Sequence, residues 1–159
     1  MTLPAAACQA EVALLAEFVT VLRDNASYMN KEVPGLVDSP QVKAAIAERC
    51  ANLASLAWDL ADEIINLQDK LGLRPGQPPH DPNIVNPNPR VTLAFFRNWP
   101  REELSKLNDL LESLRVEDMP QTRSSSLSFL LVAESAINIL NAYAHAMDAA
   151  DRIEQQIPP

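Results

Sequence analysis

Apolar residues recur through the first thirty positions in alternating steps of four and three: Cys8, Val12, Leu15, Val19, Leu22, Ala26 and Met29. That spacing puts them on one stripe of an α-helix. Leu14, Phe18, Val21 and Tyr28 widen the stripe, while Glu11, Glu17, Thr20, Arg23, Asp24, Ser27 and Lys31 take the other side. The pattern predicts a first helix over residues 4–31, stopped by Pro34-Gly35. A second series, Ile46, Cys50, Leu53, Ala57, Leu60, Ile64, Leu67 and Leu71, predicts a helix over 40–71. Ser39 suits its N-cap, Pro40 its first helical position and Gly72 the position just past its end. Ala47, Ala51, Ala54 and Ala61 flank Trp58, which predicts close approach of a neighbouring helix there.

A third helix is predicted over 100–116, with Leu104, Leu107, Leu111 and Leu114 as its seam. Glu102 and Glu103 fall in its first turn, where carboxylates meet the positive end of the helix dipole. The fourth, over 123–156, confines its polar residues to a narrow stripe of Glu134, Asn138, Asn141, His145, Asp148 and Arg152. A helix so apolar calls for burial on most sides, either at the centre of the fold or against an oligomer partner.

These elements predict an all-α single domain spanning 1–159: an up-and-down four-helix bundle with three long helices and one short. At 1.5 Å per residue the helices measure about 40, 48, 24 and 45 Å. The third therefore leaves a gap, to be filled by the segment before it. That segment, 72–99, is predicted as an ordered Pro-rich crossover between the second and third helices. Arg74–Pro100 holds seven of the chain's 13 prolines, a density that argues against continuous helix. It also carries Phe95, Phe96 and Trp99 within five residues, more apolar area than a disordered linker has.

Charge sharpens the contrast. The chain carries 21 acidic and 13 basic residues, net −8, yet Arg74, Arg90 and Arg97 against Asp81 make this one segment net positive. One reading packs the aromatics into the bundle and pairs the arginines with acidic faces. The other makes Arg90, Phe95, Phe96, Arg97 and Trp99 contacts for a partner, since these residue types concentrate at interface hot spots.

Composition excludes several chemistries. Three glycines cannot build a phosphate-binding glycine loop. Two cysteines and two histidines are too few for a zinc finger or a disulfide framework. Cys8 and Cys50 fall about 18 Å out of register in a hairpin turning near Gly35, beyond disulfide reach. A strongly acidic chain argues against nucleic acid as partner. No stretch offers about 18 uncharged apolar residues, so no membrane span is expected. With no visible export signal, the expected compartment is the cytoplasm and the expected thiols are reduced.

Candidate chemistry is sparse. Asp59, Asp62 and Glu63 share one face of the second helix and are suited to holding a magnesium ion against a phosphorylated substrate. That enzyme reading, a metal-dependent all-α phosphohydrolase with help from His145, requires these carboxylates to converge on Asn138, Asn141 or Asp148. Met29, Trp58, Phe129, Tyr143 and Met147 occupy core-like positions, and no cofactor is expected among them. The favoured expectation is a non-enzymatic protein-interaction module: an adaptor, chaperone or immunity-type inhibitor. Its partner is expected to be another protein, basic in character, or a second copy held through the fourth helix.

Overall fold

The computed structural model of the chain describes residues 5–81, 88–117 and 123–157. Among these, every regular element is helical: α1 Ala5–Glu32, α2 Pro40–Lys70, α3 Pro89–Glu117 and α4 Arg123–Gln156. A single 3-10 turn, Pro34–Leu36, separates α1 from α2. The ends of α2 follow from local chemistry. The Val42 N–H donates to Ser39 Oγ at 3.3 Å, and Pro40 opens the first turn. At the other end Gly72 takes φ +72°. There the Gly72 N–H reaches Asp69 O at 3.2 Å and the Leu73 N–H reaches Gln68 O at 2.8 Å. This is a Schellman closure, in which a left-handed glycine lets the chain turn and satisfy the last carbonyls.

Each helix packs on two others. α1 meets α2 and α4, and α3 meets α2 and α4, while the diagonal pairs do not touch among the described residues. Neighbours run in opposite directions. Along α1 and α4, Glu11 pairs with Arg152 at 2.9 Å and Asn25 meets Asn138 at 3.4 Å. Along α2 and α3, Arg49 pairs with Glu103 at 2.7 Å and Lys70 Nζ donates to Thr92 Oγ1 at 2.6 Å. The seams expected of the first two helices are buried along their whole length, from Cys8 to Met29 and from Ile46 to Leu71. Both cysteines are buried and free.

The third helix corrects the sequence expectation. It begins at Pro89, not near Pro100, so it has 29 residues and needs nothing to extend it. Val91 to Trp99, expected in the crossover, are helical. Asn88 Oδ1 accepts the Arg90 N–H at 3.0 Å and Pro89 opens the first turn, which repeats the chemistry at Ser39-Pro40. Pro100 lies inside the helix and is buried. It supplies no N–H to the carbonyl of Phe96 one turn earlier. Beside that gap, Tyr143 Oη of α4 donates to Arg97 O at 2.9 Å, and Leu93 and Phe96 are fully buried. Packing and a side-chain donor together hold the helix through its proline.

A second correction concerns α2. Trp58 is 77% exposed and Ala61 faces outward, while the exposed Ala47, Ala51 and Ala54 line a shallow hollow against Ser27 and Asn30 of α1. The non-helical residues after α2 turn back onto it. Arg74 pairs with Asp69 at 2.8 Å, the His80 N–H donates to Asp69 Oδ2 at 2.8 Å, and His80 Nε2 lies 3.1 Å from Asp62 Oδ1.

Candidate functional site

The aromatic and basic residues singled out in the sequence separate once placed on α3. Phe96 points into the core and is fully buried. Phe95 stacks on Trp99 with ring centroids 4.5 Å apart, and Trp99 keeps 38% of its surface exposed. Arg97 reaches across to α4, binding Asp151 at 2.8 Å and Glu154 at 2.7 Å. Partial burial works against its charge, but the two carboxylates outweigh that and hold the guanidinium above its ordinary pKa. Arg90, two turns earlier, donates to Ile157 O at 3.1 Å. These two arginines tie α3 to the end of α4, and Trp99 is the member of the set that presents a large apolar surface to solvent.

The acidic run on α2 is not one site. Asp59 is exposed and lines a shallow groove of about 350 Å³ between α2 and α3, with Asn52, Asn98 and Trp99. Asp62 faces His80. Glu63 is half-buried beside Asn66, whose Nδ2 donates to it at 3.5 Å and whose Oδ1 is buried without a partner among the described residues. Burial pushes the Glu63 carboxyl up, against the lowering effects of Lys70 and Asn66. Burial likewise lowers Lys70. Because α2 and α4 stand diagonally, the three carboxylates do not converge on Asn138, Asn141 or Asp148. No group of three or more histidine, cysteine, aspartate or glutamate side chains is arranged to hold a metal among the described residues. His145 is exposed on α4 and lines a separate groove against α1.

The most distinctive surface lies on α4. Its inner side buries Val132, Ser135, Ala136, Ile139, Ala146, Ala149, Ala150 and Ile153. Its outer side leaves Leu130 58%, Ile137 57% and Leu140 50% exposed, with Leu127 also open. Leu130, Ala133, Ile137, Leu140, Ala144 and Met147 step by 3, 4, 3, 4 and 3, a second seam on the far side of the same helix. From Leu127 to Ala144 the only charged residue is Glu134. By length and composition alone Leu127–Gln156 could cross a membrane, with a mean hydropathy of 1.4 in its best window, of which 28% is buried. The sequence signalled an apolar helix but not which side stays bare, since that depends on where α1 and α3 stand.

No protein-family model, no curated protein and no solved structure matches this chain.

Proposed function

We propose that this protein is a non-enzymatic interaction module, an up-and-down four-helix bundle with a Pro-rich crossover between α2 and α3, that docks another protein on the outer face of α4. The observation that carries this reading is the half-exposed row of Leu130, Ile137 and Leu140 on a helix whose opposite face already serves the core. A contiguous apolar strip of this kind is the mark of an interaction surface. Covering the open half of each of three large side chains is worth about 1 kcal/mol apiece, half of the 1.5–3 kcal/mol for full burial. The 3/4 spacing suits a partner helix laid along it. The net charge of −8 favours encounter with basic proteins, which affects the rate of association more than its strength. Adaptors, chaperones and immunity-type inhibitors work through surfaces of this kind.

A photo-crosslinking amino acid at position 137 tests the reading inside the expressing cell. Adducts, to a second copy or to another protein, are expected at position 137 and are expected to disappear with Leu130→Glu, an exposed change that leaves the melting temperature within a few degrees. Absence of adducts at both 137 and 140 overturns the proposal.

A further inference from the structure

The polar stripe of α4 has a counterpart on α1, and the two enclose a groove the interaction reading has not used. Two contiguous hollows of about 320 and 380 Å³ run between these helices and share Asn25 and Asn138. Three amides line the groove, Asn25 half-buried and Asn138 and Asn141 exposed. Asn25 is fixed, its Nδ2 donating to Val21 O at 2.7 Å and its Oδ1 facing Asn138 Nδ2 at 3.4 Å. That leaves Asn138 Oδ1 and the whole Asn141 amide without a hydrogen-bond partner among the described residues. Ser135 stands in the wall, 1% exposed, with its Oγ buried and unpaired among the described residues. Glu17 and Glu134 flank the amides, and neither has an ion pair among the described residues.

A buried hydroxyl without a partner, as at Ser135, is rare in folded proteins and calls for an explanation, while the exposed Asn138 and Asn141 amides are open to a ligand. An asparagine amide offers a carbonyl and an NH₂ side by side, the complement of a peptide's own N–H and C=O. Carboxylates without counter-ions complement lysine or arginine. From Glu134 to His145 the groove spans about 16 Å at 1.5 Å per residue, which accommodates about five residues of extended chain at 3.3 Å each. We propose that the α1/α4 groove binds an extended basic segment of a partner polypeptide. Asn138 and Asn141 hold its main chain, and Glu17 and Glu134 receive its cationic side chains. This rests on the interaction reading and names the partner's chemistry at the edge of the apolar strip.

The test uses the full chain and a fluorescein-labelled five-residue peptide of alternating lysine and alanine, read by anisotropy. Three comparison peptides carry glutamate in place of lysine, N-methylated main-chain nitrogens, or neither charge. The lysine peptide is expected to bind, the glutamate and N-methylated forms at least tenfold more weakly. Glu17→Gln with Glu134→Gln is expected to weaken it at least fivefold and to flatten its salt dependence. Asn138→Ala is expected to weaken it at least fivefold with the salt dependence kept, while Asp59→Asn on α2 leaves it unchanged. Equal binding of the N-methylated peptide, no binding of any peptide, or a loss with Asp59→Asn equal to that with the groove variants overturns the proposal. Crosslinking at position 137 does not depend on these four side chains, so failure of the peptide alone removes the groove and leaves the α4 face standing.

Discussion

Phe96 and Trp99 look interchangeable as sequence, and the structure assigns them opposite consequences. Phe96→Ala removes a fully buried ring beside the Pro100 interruption of α3. Large-to-small changes of this type cost about 3–5 kcal/mol, from lost transfer energy and the cavity left behind. Trp99 is 38% exposed and touches Phe95 by a stack with centroids 4.5 Å apart. Its loss forfeits the stacking, about 0.5–1.5 kcal/mol, and a modest share of area. At about 2–4 °C per kcal/mol for a chain of this length, Phe96→Ala lowers the melting temperature by about 6–20 °C. Loss of the stack in Trp99→Ala lowers it by about 1–6 °C on the same scale. Calorimetry gives the midpoints, and urea unfolding followed by circular dichroism separates a true stability loss, with the slope kept, from a change in the unfolded state. A Phe96→Ala shift under about 4 °C, or one smaller than that of Trp99→Ala, would refute the placement of this segment on a buried helical seam.

The remaining expectations are more local. Tyr143→Phe removes the donor to Arg97 O and is expected to destabilise by about 1 kcal/mol in urea titrations; a neutral result would mean the Pro100 interruption needs no outside donor. Burial raises Cys50 to about 11 and also raises Cys8, so native protein at pH 8 is expected to react with an aromatic disulfide reagent only as fast as it opens. Immediate release of two thiols per chain would contradict the buried seams. Burial raises the Glu63 carboxyl above its ordinary 4.5, so its contribution to stability is complete below that value and is lost as pH rises through the higher folded value. Glu63→Gln is therefore expected to melt above the parent at pH 7 and level with it near pH 3.5. A lower melting temperature at pH 7 would show that the Lys70 attraction outweighs burial.

What the sequence made legible was the local chemistry. Ser39-Pro40 and Gly72 mark the ends of α2 because caps and left-handed closures depend on a few adjacent residues. Asn88-Pro89 carries the same signature, yet seven prolines in one segment obscured it. The seam itself runs unbroken through Leu93, Phe96, Pro100, Leu104 and Leu107, with the proline as one of its apolar positions. An interior proline costs about 3 kcal/mol by propensity alone. Burial of Leu93 and Phe96 and the Tyr143 donor offset that cost, and they are tertiary facts no local rule contains. Trp58 failed for the converse reason: its alanine neighbours invited a packed helix, but both flanks of α2 were already taken by α1 and α3. At the candidate sites, the apolar character of α4 was legible and its bare side was not. The amide-lined groove was beyond reach, because Asn25 and Asn138 stand 113 positions apart and meet only through the register of α1 on α4.

That register also brings the two extremities of the helical chain together. Cys8 Sγ lies 3.7 Å from Gln156 Oε1, one turn from the Glu11 and Arg152 pair. A tether of a few residues between these extremities would close the backbone into a ring without displacing a core side chain. By the entropy of closing so long a loop, such a ring would gain on the order of 4 kcal/mol over the open chain. The start of α1 and the end of α4 thus share one pole of the bundle, clear of Leu130 and Ile137 along the flank.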